Sequence, residues 1–273
     1  MTGDSVVAVK STGYSNYGTS DQVSYTSMVI IPKMLPPSIK GTFVTNSVSS
    51  TNGNALIDGR NHNIDQTLSS PGGTGIVGIW STGTVSTSGS SSVGGTASGI
   101  DYAPSSSPDP HIVLQNQTYI GGYPATADQV MGGSASGYPD GTLKSIAQSG
   151  ILGGFYGTTI PAKTLSGVTY IDLSTGISGN DITGSGILIF NNTSSSAITL
   201  KLLGGTFTGL IILANNINID KLRGTIVGSV ITTASTQSGN VAINGNGAIL
   251  YSSQAIQNST KNLNWKKYVW FEH

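Results

Sequence analysis

The densest group of ionisable and hydrogen-bonding residues in this 273-residue chain is Asp58-Gly59-Arg60-Asn61-His62-Asn63-Ile64-Asp65. On an extended strand Asp58, Arg60 and His62 would share one face, where a carboxylate, a guanidinium and an imidazole could bind a small polar ligand. The competing reading is a turn-rich corner with its polar face towards water, because Asp-Gly and Asn favour turns. A second group closes the chain, where Trp265, Tyr268 and Trp270 precede Phe271. These rings would offer a platform for a sugar or a docking edge, or would cap the open end of a sheet.

Other chemistry finds less to work with. Carbohydrate-cleaving enzymes of repetitive β architecture use clustered carboxylates for calcium or for acid/base work. Here Asp172 is followed one repeat later by Asn191, Asp181 by Leu200, and the single glutamate is Glu272. No acidic ladder forms, so no cofactor is expected; calcium is the one that the class allows, and no ligand cluster supports it. His111 and His273 stand isolated, without metal-ligand spacing. Neither a serine elbow with a histidine partner nor a phosphate loop is present.

The elements that must position these residues are short strands. Only 9% of residues are charged, against about 25% in an ordinary soluble domain. Twelve basic and twelve acidic residues cancel, which leaves no positive field for nucleic acid. Hydrophobic residues make up 37% and fall in short runs, glycine is abundant at 38 residues, and cysteine is absent. That composition points to a folded β protein of the bacterial surface type. No apolar run approaches the roughly 18 residues of a membrane span.

A repeat organises the strands. Gly167 leads VTYI, Gly186 leads ILIF, Gly209 leads LIIL, Gly228 leads SVIT and Gly247 leads AILY. Strands of four to six residues recurring at such a period predict an all-β fold, a right-handed parallel β-solenoid of about 19–23 residues per coil with a few short helices. Glycine serves its corners through positive φ. In ITLKLL the alternation turns Ile198, Leu200 and Leu202 inward, and Lys201 faces Asp220 one coil on. ILIF and LIIL are apolar throughout, so both faces must be covered. The covering segments are expected at 252–263 and 140–150, the second a helix capped by Asp140 and stopped by Gly150.

Residues 1–35 read as a strand pair and linker, and 36–273 as the solenoid domain with an insertion at about 66–160. The Gly/Ser-rich stretch from 66 to about 110 is either a surface excursion or further thin β structure. Met1 reads as an added start and His273 as the stub of a tag, so the chain is expected to be a part of a longer protein.

Two blocks carry a resemblance. VVAVKSTGYSNYG with GTFVTNSVSSTNGNALIDGRNHNID resembles the region after the N-terminal helix of PilX-like accessory pilins, minor subunits of bacterial type IV pili. GSGILIF, GTFTGLIIL, GTIVGSVIT and NGNGAILYSSQAI are similar to the β-solenoid ectodomain of larger members. Together the blocks cover about half of the chain. The resemblance implies a non-enzymatic, extracellular head that helps to start, tip or decorate the pilus. Its partners would be other pilus subunits or a surface ligand, and it would meet a membrane only through a native N-terminal helix absent here. The alternatives are a carbohydrate-active or carbohydrate-binding β-helix protein, and an ice-binding-type threonine array suggested by GTFTG and TGTVST.

Overall fold

The computed structural model describes residues 7–14, 23–30, 35–47, 49–234, 241–261 and 263. The chain divides into two compact units. One contains β1 (Val7–Tyr14) and β2 (Val23–Ile30), an antiparallel pair in register from Val7–Ile30 to Tyr14–Val23. The other is residues 35–259.

The larger unit opens with β3 (Phe43–Thr45), β4 (Ser49–Gly53), β5 (Leu56–Asp58), β6 (Ile79–Ser81), β7 (Val85–Thr87), β8 (Ser92–Ala97), β9 (Ile100–Ser105) and β10 (Val113–Leu114). Helices α1 (Ala127–Val130) and α2 (Thr142–Ser149) follow. The strands then resume as β11 (Phe155–Gly157), β12 (Val168–Leu173), β13 (Ile177–Asp181), β14 (Gly184–Asn192), β15 (Ile198–Gly204) and β16 (Thr206–Ala214). Next come β17 (Ile217–Leu222), β18 (Thr225–Thr232), β19 (Val241–Gly245), β20 (Ala248–Leu250) and finally α3 (Ser253–Thr260).

The fold is mainly β, and the two sheets of the larger unit are parallel apart from the antiparallel pairing of β8 with β9. In one sheet β11, β12, β14, β16 and β18 lie side by side; in the other the order is β13, β15, β17, β19, β4, β7. From residue 168 to 250 each pass of the chain adds a strand to both sheets beside that of the previous pass. β18 is then shared: Thr225–Val227 pair with β20, while Val230 and Ile231 pair with Phe43 and Val44 of β3. The first strand of this unit thus continues the layer that its last strand begins. β5 lies on β20, β6 on β3 and β8 on β5. Of the two readings for the Gly/Ser-rich stretch, the structure takes the second, since β6, β7 and β8 belong to the same parallel sheets.

The glycines explain the repeat. Gly186 pairs with Gly209 and Gly209 with Gly228. All three have positive φ, and a Cβ on each would run into the carbonyl oxygen of the glycine one pass earlier, Gly167, Gly186 and Gly209 respectively. Such a backbone-on-backbone approach admits no side chain. The fifth rung differs from the expected one. Ala248 pairs with Thr225, so Gly247 falls beside Gly224 rather than Gly228. The reason is length: the connection from Thr232 to Val241, between β18 and β19, is much longer than that from Ala214 to Ile217, between β16 and β17.

Alternate residues of the main sheet fill two apolar layers. Inward, Leu188, Phe190, Ile211, Leu213, Val230 and Phe43 join the central core. Outward, Ile187, Ile189, Leu210, Ile212 and Ile231 are equally buried, covered as their two-sided apolarity requires. α1 packs on β16 and α2 on β11 and β12, while Ser259 of α3 lies against Gly209. Asp140 does not cap α2. The N-cap position is Gly141, in the left-handed region at φ 91°, and the capping oxygens come from Asp128, which accepts from Gly141 N and Leu143 N at 2.8 Å each. Asp140 accepts from Thr126 instead. Lys201 and Asp220 do meet, at 3.8 Å and exposed, although a bulge moves the register to Lys201–Lys221.

Gly209→Val is expected to destabilise the fold by about 3 kcal/mol or more through clash and backbone strain. Gly150→Ala, at φ 69° but in open space, should cost only about 1–2 kcal/mol. Urea denaturation of the two variants checks the difference, and equal losses would contradict the column.

Candidate functional site

Asp58 ends β5, and the next residues turn back on it rather than extending the strand. Arg60 donates from Nε to both carboxylate oxygens at 3.1 Å, from Nη2 to Oδ2 at 2.6 Å and from its backbone N to Oδ1 at 3.0 Å. His62 Nε2 lies 3.5 Å from Asp58 Oδ2, and His62 N donates to Tyr251 O at 2.8 Å. Asn61 accepts from Ser253 N at 3.0 Å. The three residues singled out from the sequence therefore converge, but on each other and not on a strand face open to a ligand. Asp58 and His62 are 2% and 5% exposed, so the corner is a buried clasp between residues 58–62 and 251–253. The hydrogen bond to Asp58 raises the Arg60 guanidinium above its ordinary value. Trp265, Tyr268 and Trp270 lie outside the described residues.

A second cluster carries no local sequence signature. Asp172 on β12 points outward and is almost buried. Its Oδ2 accepts from Lys144 Nζ of α2 at 2.8 Å and from Tyr156 OH of β11 at 2.7 Å, and its Oδ1 accepts from Asn191 Nδ2 of β14 at 2.6 Å. Asn215 Nδ2 donates in turn to Asn191 Oδ1 at 2.6 Å. The Lys144 ammonium sits 5.0 Å from the centre of the Tyr156 ring and 5.7 Å from that of Tyr170. Burial alone would raise the Asp172 carboxyl; the bonds from Asn191, Lys144 and Tyr156 outweigh it and hold the group below its ordinary value. Burial pushes the Tyr170 phenol up to about 12. Asp128 behaves oppositely to Asp172: desolvation raises it despite the two amides that it accepts from.

The one-repeat step from Asp172 to Asn191 is visible in the sequence and is a real pairing. The arrival of Lys144 is not, because nothing local encodes where a helix docks. This pass takes 23 residues, Ile177 pairing with Leu200, so Asp181 falls beside Gly204 rather than Leu200. His111 pairs with Asp109 at 2.7 Å on the surface. Among the described residues no group of three or more His, Cys, Asp or Glu could hold a metal ion. No family model, no curated protein and no solved structure matches this chain.

Two of the buried carboxylates can be tested separately. Asp58→Ala strands a mostly buried guanidinium and should cost about 3 kcal/mol, read from the urea midpoint. Asp172, with its folded pKa lowered, contributes stability that is present above its ordinary value of 3.8 and lost as pH falls through the lower folded value. In Asp172→Asn that part of the acid-side decline should disappear in urea midpoints measured against pH.

Proposed function

We propose that the two parallel sheets are faces of one right-handed β-solenoid of about 19–23 residues per coil, and that the domain is a non-enzymatic display head. In this reading it belongs to an extracellular, pilus-associated protein of the minor-pilin kind and acts in pilus assembly, at the tip or in adhesion. Its partners are other pilus subunits or a surface ligand.

The observation that carries the reading is the use made of the buried carboxylates. Asp58 holds Arg60 and His62 onto the end of β5, Asp128 caps α2 from α1, and Asp172 ties α2 and β11 to β12. Each is occupied by structural partners, which fits a rigid scaffold better than a catalytic centre. The resemblance of the glycine-led blocks to pilin ectodomains supplies the setting. A threonine array is less well supported: Thr206 pairs with Thr225, but Thr208 pairs with Val227 and Thr225 with Ala248.

Antibodies against the chain should label surface fibres of the source bacterium in immunogold microscopy, and label confined to the cytoplasm would overturn the reading. Release of reducing ends from a polysaccharide panel, abolished by Asp58→Asn or Asp172→Asn, would restore the enzymatic alternative.

A further inference from the structure

Between β9 and β10 the chain passes through the turn Asp109-Pro110-His111-Ile112, which contains the one Asp-Pro bond of the sequence. Pro110 and His111 are exposed. Ile112 N donates to Asp109 O at 3.1 Å, so an amide polarises the carbonyl of the Asp-Pro bond itself. Ile112 is fully buried and its own carbonyl accepts from Ile79 N at 3.1 Å, which fixes that amide to the main sheet. His111 holds the Asp109 carboxylate. Asp109 Oδ1 accepts from His111 N at 2.8 Å, and His111 Nδ1 lies 2.7 Å from the same oxygen. The imidazole in turn stacks on Tyr102 of β9, with centroids 6.3 Å apart and planes 21° from parallel.

We propose that this turn is a self-cleavage site, at which the chain breaks its own Asp109–Pro110 bond. Asp109 Oδ2, the oxygen that His111 does not hold, attacks the main-chain carbonyl carbon of Asp109. Nucleophile and target belong to one residue, so the attack closes a five-membered ring without the entropy cost of bringing two groups together. The new C–O bond makes a cyclic anhydride of Asp109. The C–N bond to Pro110 breaks with its electron pair kept on nitrogen, which takes a proton from the His111 imidazolium. Water then opens the anhydride to two carboxyl groups, and the imidazole regains its proton from solvent; the net change is one water added. Proline suits the step because a tertiary amide nitrogen is more readily protonated than that of an ordinary peptide bond. The Ile112 amide meets the charge that grows on Asp109 O during the attack. Among the described residues two titratable groups face the imidazole, Asp109 and Tyr102. The backbone and ring hydrogen bonds from His111 keep the Asp109 carboxyl below its ordinary value. The nucleophile therefore stays ionised in mild acid, where an imidazole carries its proton.

This is a single event of the chain on itself, with no turnover of another molecule, and it is independent of where the protein is displayed. The cut does not divide the fold. β3, β4 and β5 before it pair with β18, β19 and β20 after it, so both pieces stay in the same sheets and two new chain ends are left at the surface.

The whole chain, held for days at about pH 5 and about pH 8 and weighed intact under denaturing conditions, tests the proposal. Fragments 1–109 and 110–273, together heavier than the parent by one water, should accumulate faster at the lower pH. Asp109→Ala and Pro110→Ala should abolish them. His111→Phe keeps a ring against Tyr102 but has no proton to give, and should slow cleavage by about a hundredfold or more. Unchanged urea midpoints confirm that the variants are folded. The native sequence unfolded in urea at the same pH reports the lability of any Asp-Pro bond, and should be cut more slowly than the folded chain. No fragments from the folded chain, equal rates folded and unfolded, or an unchanged rate in His111→Phe overturns the site.

Discussion

Along the main sheet the backbone itself is the steric limit: the carbonyl oxygen of one glycine stands at the position that a side chain would need on the next. Gly167, Gly186, Gly209 and Gly228 form this column, and the register of the main sheet depends on it. Because strand side chains alternate with a period of two, a slip of one residue would exchange the inward and outward sets. Here both sets are apolar over ILIF and LIIL, so hydrophobic pattern alone cannot choose between them. The glycines can, since only they fit at the crossing. The helices then find a fixed outer surface, and Asp172 finds Asn191.

That constraint explains which parts were legible in the sequence. Glycine followed by an apolar run recurs at a regular step, and four of its five rungs have the register that the spacing predicts. The fifth does not, because Gly247 is preceded by a longer connection and drops into the neighbouring glycine column. Two-sided apolarity correctly required a cover, and helices were found in both expected stretches. What could not be read is whatever joins residues far apart in the chain. The pairing of Phe43 with Val230 spans almost the whole unit and leaves no local trace. β8, with the sequence SVGGTA, has too little apolar periodicity to declare itself a strand.

The polar clusters divide along the same line. DGRNHNID stands out because its residues are adjacent, and they do meet, but as a clasp: the strand ends at Asp58, and Arg60 and His62 fold onto its carboxylate. The arrangement around Asp172 draws on α2, β11, β12, β14 and the turn after β16. Only its Asp172–Asn191 step has a sequence signature. Asp128 took the capping role expected of Asp140 because it reaches the first amides of α2 from a neighbouring helix, and it bears a desolvation cost there that a surface cap would avoid.

The sharing of β18 between β20 and β3 also has a consequence in time. During synthesis β3, β4 and β5 emerge early, but the strand edges on which they rest are completed only when the segment 225–250 has been made. Until then that flank of the early strands has unpaired backbone groups, the condition under which sheets join the wrong neighbour. The contacts that finally satisfy it, such as Val230 with Phe43, close a loop containing most of the larger unit, which makes assembly slow for a chain of this size. The last strands therefore decide when the first ones become stable.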